Sequence, residues 1–497
     1  MVYKRWTYNT WSRDEKYPIL KWAFMNNQLQ IVNLLIEKGA DVKDPLYLCW
    51  ASGSGDIELV KKLLEKGANV NAENEYGETA LLWAAFNGRT QIVQLLLEKG
   101  ADANANNALR VAVQKGYTEI VKILLEKGAN VNETVNFKDK NISILRWAIE
   151  NNYKELTEIL LGKGAKLDYE TIKLELKKDD VEFFEILIKK GMDVNEKFNG
   201  TPILSLAIED SSIKVIKFLI EKGADVNACG NRYYPLMVAS IKGYTEIINL
   251  LLEKGADINA TDREYGYTAL MLAAVNCDIS SVKLLIEKGA NINMESNYGR
   301  TALTVASKEG CTEIVKILLE KGADVSHQDN DHKTALDYAI ENGHYDVVKL
   351  LFERVKDNKV KSIALLNAAT NGNYEAVKFL VNNKGVDINA KNDQGETPLI
   401  CALKNGYFDI AKFLIEKGAN VNAKENIWGV TPLMYAAATH RYNSNCLNVI
   451  KLLIQKGANI NAVNNQGQTA LDYAGNDDIY RILRQYGAKK GIELRFR

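Results

Sequence analysis

Glu98-Lys99-Gly100-Ala101 is one copy of a phrase that recurs through the chain, with its glycine at Gly39, Gly67, Gly100, Gly128, Gly223, Gly255, Gly289, Gly322 and Gly418. Variants of the phrase place further glycines at Gly164, Gly191, Gly385, Gly457 and Gly487. Gly67 to Gly100, Gly289 to Gly322 and Gly385 to Gly418 each span 33 residues. Self-similarity at that period marks a stacked array of small units.

The stretch 74–105 shows what one period encodes. Asn74-Glu75-Tyr76-Gly77 is a turn signal, with Gly77 free to take positive φ. Thr79 is placed to cap a short helix over Ala80–Phe86, and Asn87-Gly88 breaks the chain. Thr90 is placed to cap a second helix over Gln91–Lys99, where Ile92, Val93, Leu95, Leu96 and Leu97 form a broad apolar face. Gly100 then stops the helix in a left-handed conformation. Thr118-Glu119, Thr245-Glu246 and Thr312-Glu313 repeat that start, each placing a hydroxyl and then a carboxylate at the positive end of a helix. A turn plus two antiparallel helices cannot bury its apolar faces alone, so each unit needs neighbours.

These residues resemble the ankyrin repeat. The first-helix pattern of that family, Thr-Pro-Leu-His-Leu-Ala-Ala, has counterparts at Thr268–Ala274, Thr301–Ser307, Thr397–Leu403, Thr431–Ala437 and Thr469–Gly475. The pattern after the second helix is close to complete at Leu219–Ala228, Leu251–Ala260 and Leu414–Ala423. The resemblance spans roughly residues 17–490 and implies an all-α solenoid of about 15 repeats with turn or hairpin fingers. The family's histidine is replaced here by Leu82, Met271, Thr304, Asp337, Ile400, Met434 and Asp472. The resemblance gives that histidine a local hydrogen-bonding role, so its loss is expected to weaken single repeats. It also makes the recurrent asparagines Asn71, Asn104, Asn227, Asn259, Asn422 and Asn461 structural.

Measured against the regular beat, the chain divides into an aromatic N-terminal arm over residues 1–16, a first block over 17–354, a second block over 355–490 and a tail over 491–497. The units ending at Gly67 and Gly128 are 28 residues long and read as having lost most of the turn finger. Residues 133–141 add loop, and the first helix of the unit at Asp168–Gly191 is charged. A seam at Phe352–Lys361 stands where a glycine stop and a finger belong, and an insertion surrounds His440–Cys446.

Of the 497 residues, 63 are Lys or Arg and 63 are Asp or Glu, so the net charge is zero and does not argue for nucleic acid or an anionic membrane. No apolar run approaches the roughly 18 residues of a membrane span. The six scattered cysteines suit neither a zinc site nor a disulfide framework and fit a reducing compartment.

Three successive fingers carry tyrosine with arginine: Arg232-Tyr233-Tyr234, Arg263-Glu264-Tyr265-Gly266-Tyr267 and Tyr298-Gly299-Arg300. Both residue types dominate binding hot spots. With Tyr76, Phe86, Trp428, His440 and Tyr442 they form the candidate partner-contacting set. Trp22, Trp50, Trp83 and Trp147 share one first-helix register with Tyr338, Tyr435 and Tyr473, read as packing between repeats in preference to an aromatic groove wall. His327 and His332 read as solvated turn residues.

No nucleophile elbow, zinc-binding helix motif or phosphate loop is present in the sequence. No catalytic residue, cofactor or metal is therefore expected. The chain reads as a non-enzymatic, monomeric, cytoplasmic scaffold or adaptor that binds another protein through its concave face and finger tips. The abundance of Lys, Asn and Ile suits a microbial or viral effector or inhibitor acting by occlusion. A sponge for nucleotide or nucleic acid, and an enzyme with a cryptic site near the seam or insertion, are the alternatives.

Overall fold

A computed structural model describes residues 19–137, 140–438 and 444–495. The N-terminal arm and the insertion residues His440 and Tyr442 lie outside the described residues. Among the described residues the chain forms 30 α-helices, with strand structure confined to short stretches. The described residues up to Asn199 make one compact unit and those from Gly200 onward make a second. Within each unit, first helices stack on first helices, as Ala80–Phe86 does between Pro45–Ser54 and Ala108–Lys115. Second helices stack in the same way, with Thr90–Glu98 beside Thr118–Glu126. Ile92, Val93, Leu96 and Leu97 are buried between the layers.

The first helix starts as its sequence requires. The Thr79 hydroxyl accepts the Leu82 amide at 3.3 Å, a cap that contributes about 1 kcal/mol. The second helix differs from expectation. Thr90 and Thr118 are the first helical residues, and the caps Arg89 and Tyr117 make no side-chain capping bond. The reason is the tight entry: the Thr90 and Thr118 amides donate back to the Gly88 and Gly116 carbonyls at 3.1 and 3.0 Å. The threonine amide is already satisfied, and the side chain before it projects toward the neighbouring repeat.

Substitution of the family histidine does not leave the first-helix start unsupported. Thr304 and Asp337 accept the amides of Thr301 and Thr334 at 2.8 Å, closing a reciprocal bond with the capping threonine, while Asp472 accepts the Thr469 amide at 2.8 Å in a turn that does not continue as a helix.

The irregular intervals correspond to altered fingers. Asp44 caps the helix Pro45–Ser54 directly, and a single turn at Ala105–Asn107 stands in for the finger of the next short unit. The extra loop pairs Thr134–Phe137 with Lys140–Ser143 as a hairpin. At the seam, Asp357 caps a long first helix over Asn358–Asn371, so helix takes the place of the finger.

Repeats are tied together by the recurrent asparagine. Asn227 donates to the Gly255 carbonyl at 3.0 Å and accepts the Asp257 amide at 2.8 Å, reaching into the next repeat. Asn71, Asn104 and Asn422 bridge the same way to Gly100 and Asp102, to Gly128 and Asn130, and to Gly457 and Asn459.

Cys277 and Cys311 form a disulfide, with Cα atoms 5.4 Å apart, which corrects the expectation of unpaired cysteines throughout. They are 34 residues apart, about one repeat, so stacking brings them together. In several other repeats this slot holds a glycine beneath the following repeat's cap residue, as Gly88 lies beneath the Tyr117 ring, and in others Asn27, Asn152, Asp179 or Ser211 takes the same positive φ. Cys277 occupies the glycine place at φ 53° and Cys311 the cap place. The other four cysteines are buried thiols.

Two expectations follow. Asn227→Ala removes two bonds between repeats and should cost about 1–2 kcal/mol. The loss should appear as faster hydrogen exchange at the Asp257 amide, with no such change in Asn249→Ala, whose side chain bonds only Glu253 on its own helix. Protein purified without reductant and then denatured should alkylate at four of its six cysteines, with the peptides of Cys277 and Cys311 linked in a non-reducing map.

Candidate finger interface

Most full fingers are organised by one polar side chain at the base. In the regular case this is Asn74, whose Oδ1 accepts the amides of Tyr76 and Glu78, both at 2.9 Å. Ser296 has this place in one finger, and Asp262, Asp329 and Glu425 have it in three others. Asp262 accepts the Glu264 and Tyr265 amides at 2.9 Å and the Tyr267 amide at 2.7 Å, while only 2 % exposed. A carboxylate so placed has its hydrogen bonds met but not its charge.

Arginine from the preceding finger supplies that charge. Arg232 lies with Nε 3.5 Å from Asp262 and Nη1 2.9 Å from Glu264. Its guanidinium stacks over the Tyr233 ring at 4.6 Å and the Tyr265 ring at 4.3 Å. Arg300 repeats the arrangement one finger further on. Its Nε is 3.7 Å from Asp329, and the guanidinium lies 5.5 and 5.4 Å from the rings of Tyr298 and Tyr338. Delocalised, weakly hydrated guanidinium suits such stacking.

The electrostatics follow from these contacts. Burial would weaken the Arg300 charge, but hydrogen bonds to Tyr267 and Tyr338 outweigh it and raise its pKa. Burial, and then the bond to Asp329, push the Tyr338 hydroxyl up to about 12. That hydroxyl donates to Asp329 at 2.5 Å. Burial would raise the Asp329 pKa, but bonds from Tyr338 and from the Lys333 and Asp331 amides hold it below the ordinary range.

Backbone bonds between fingers fix the spacing of this strip. The Asn297 amide donates to the Tyr265 carbonyl at 2.9 Å and the Asn330 amide to the Tyr298 carbonyl at 3.0 Å. Gly266 and Gly299 are required for this approach, because a Cβ on either would lie 2.5 or 2.6 Å from the next asparagine side chain. Tyr265 sits 6.1 Å from both Tyr267 and Tyr298, so the rings form a continuous surface.

The structure thus brings together Arg232, Tyr233, Tyr265, Tyr267, Tyr298 and Arg300. Tyr298 is half-exposed, and Tyr233, Tyr265 and Tyr267 are partly so. Arg232 and Arg300 are held within the strip instead of extending freely from finger tips. Arg263 is exposed, and Tyr234 caps the helix Pro235–Lys242. Tyr76 is an exposed tip in the first compact unit, and Phe86 lies at the far end of its helix beneath the Lys115 ammonium. Trp428 is exposed on a later finger of the second unit. Sequence reading missed Asp262 and Asp329, and it placed Tyr338 in the packing between repeats, where the ring meets Arg300 of the preceding repeat. The signal was available: an acid five or six residues before the capping threonine, and tyrosine four after it.

The aromatic register of the first helix is mixed. Trp50 packs 5.9 Å from Phe24, and Trp83 covers Gly53, where a Cβ would be 2.8 Å from the indole, so both work between repeats. Tyr435 and Tyr473 instead line a cleft with Trp428. His327 bonds the Gly299 carbonyl at 2.7 Å and so belongs to the finger scaffold.

A family model described as ankyrin repeats (3 copies) matches the chain over residues 48–135, 104–171, 172–262, 236–329, 270–362, 353–425 and 423–493. None of the curated proteins compared with the chain matches it. Stacked helix pairs, a left-handed glycine after the second helix and an asparagine bridging many of the junctions between repeats accompany that match, and the chain belongs to the ankyrin-repeat family.

Proposed function

We infer that this chain is a non-enzymatic scaffold or adaptor whose finger strip from Arg232 to Tyr338 holds a partner protein. Ankyrin repeats are in general protein–protein interaction modules, and no helix among the described residues is long and apolar enough to cross a membrane. The supporting observation is the pre-ordered stack Tyr233–Arg232–Tyr265–Tyr298 over buried Asp262. Large amphipathic rings fixed before binding present area to a partner at little further entropic cost. The reading includes work in a cytoplasm, either of the source cell or of a cell into which an effector is delivered; the four buried thiols support it and the Cys277–Cys311 bond runs against it. A monomer is sufficient for this role, with occlusion of the partner's surface as the mode of action.

Photo-crosslinking from position 298 should capture a partner, and Tyr265→Ala with Tyr298→Ala should weaken its binding by about tenfold or more. Both rings have outward faces, so the melting temperature should change little. Unchanged affinity in calorimetry with the captured partner would sink this reading.

A further inference from the structure

The finger carrying Trp428 repeats the frame of the Arg300 site without its arginine. Tyr298-Gly299-Arg300-Thr301 aligns with Trp428-Gly429-Val430-Thr431, and both threonines cap a first helix. Tyr338 lies four residues after the next capping threonine, Thr334, and Tyr473 lies four after Thr469, which opens a turn in the same place. The three-dimensional match is equally close. The Asn465 amide donates to the Trp428 carbonyl at 2.8 Å, as that of Asn330 does to Tyr298. The Tyr473 hydroxyl accepts from the Asn464 side chain at 2.9 Å, in the place where the Tyr338 hydroxyl donates to Asp329.

One side chain decides the difference. Arg300 places its guanidinium between finger and following helix, over the rings of Tyr298 and Tyr338. Val430 stands in its place and is too short to do so. The result is a cleft of about 310 Å3 lined by Trp428, Val430, Met434, Tyr435, Gln466 and Tyr473. Tyr435 replaces Val305 of the Arg300 repeat and adds a third aromatic wall. The base of the finger also carries charge. Glu425, 5 % exposed, accepts the Ile427, Trp428 and Val430 amides at 2.6, 2.8 and 2.9 Å. At Asp262 and Asp329 the same kind of buried carboxylate is matched by an arginine of the preceding finger, a place that Glu396 holds before Glu425, so the cleft itself faces the neutral Asn464 and offers a guanidinium its aromatic walls rather than an ion pair.

We propose that the Trp428–Tyr435–Tyr473 cleft receives an arginine side chain of the partner protein. It rests on the protein-binding reading but uses a subsite separate from the tyrosine strip. The guanidinium stacks against the aromatic walls, as Arg232 and Arg300 do on their own fingers, and Gln466 at the rim offers a polar contact. Val430 is the specificity-determining residue, because its short side chain keeps the cleft open.

The test uses the whole chain labelled with 15N at tryptophan indoles, the Trp428 signal being the one lost in Trp428→Phe. Short blocked peptides carry arginine, lysine, citrulline or norleucine at one position. The arginine peptide should shift the Trp428 signal saturably, and the other three should bind at least about fivefold more weakly. Val430→Arg, which copies the Arg300 repeat, should abolish the shift while the other indole signals stay in place. Tyr435→Val, which copies Val305, should weaken it without filling the cleft. Equal binding of norleucine or citrulline overturns the proposal, because the cleft then reads apolar bulk or shape. Equal binding of lysine overturns the assignment to arginine, and so does a shift that persists in Val430→Arg or one that never saturates. None of these outcomes depends on Tyr265 or Tyr298, so the subsite and the strip can fail independently.

Discussion

The asparagine that reaches from one repeat to the next is the interaction on which the rest of this structure depends. A helix pair of this size buries too little apolar surface to stand alone, and stacking must be in register. Asn227 sets that register by holding both a carbonyl and an amide of the following repeat. Once it is set, equivalent positions fall beside one another along the unit. First helices meet first helices, finger meets finger, and side chains one period apart become neighbours. The disulfide, the stacked arginines and the aromatic cleft are all products of that translation.

Local charge is organised by the same rule. The chain is neutral as a whole, which conceals a sequence of buried carboxylates at finger bases. Where asparagine or serine organises the turn, no counter-charge is needed. Where aspartate does, burial creates a demand that an arginine one finger earlier meets. Substituting a single turn residue thus changes what the neighbouring repeat must supply, and the tyrosines exploit the arginine so placed as a stacking partner.

The helices and their boundaries were legible because each is written within one period: Thr79, the Ala80–Phe86 helix and Gly100 carry their meaning locally. The missing fingers at the short intervals were legible for the same reason. Thr90 was misread as a cap because its amide is satisfied by the Gly88 carbonyl, a backbone bond that residue type does not announce. The Cys277–Cys311 bond and the role of Asp262 escaped notice because each is a relation between repeats. The Tyr and Arg fingers were found by composition, yet their arrangement reverses the simplest picture. Arg232 and Arg300 are held inside the strip, and the outer faces of the rings are what remain exposed.

The long helix Asn358–Asn371 occupies the place of a finger, and the chain of carbonyl-to-amide bonds that links neighbouring tips has no member there. The tip edge of the second unit is therefore two strips with a break one repeat wide. Tips on either side of the break are coupled only through the helices beneath them. A partner that follows this edge meets two short grips in place of one long one. Neither grip need be strong, because engaging the first raises the effective concentration at the second, and release can proceed one grip at a time.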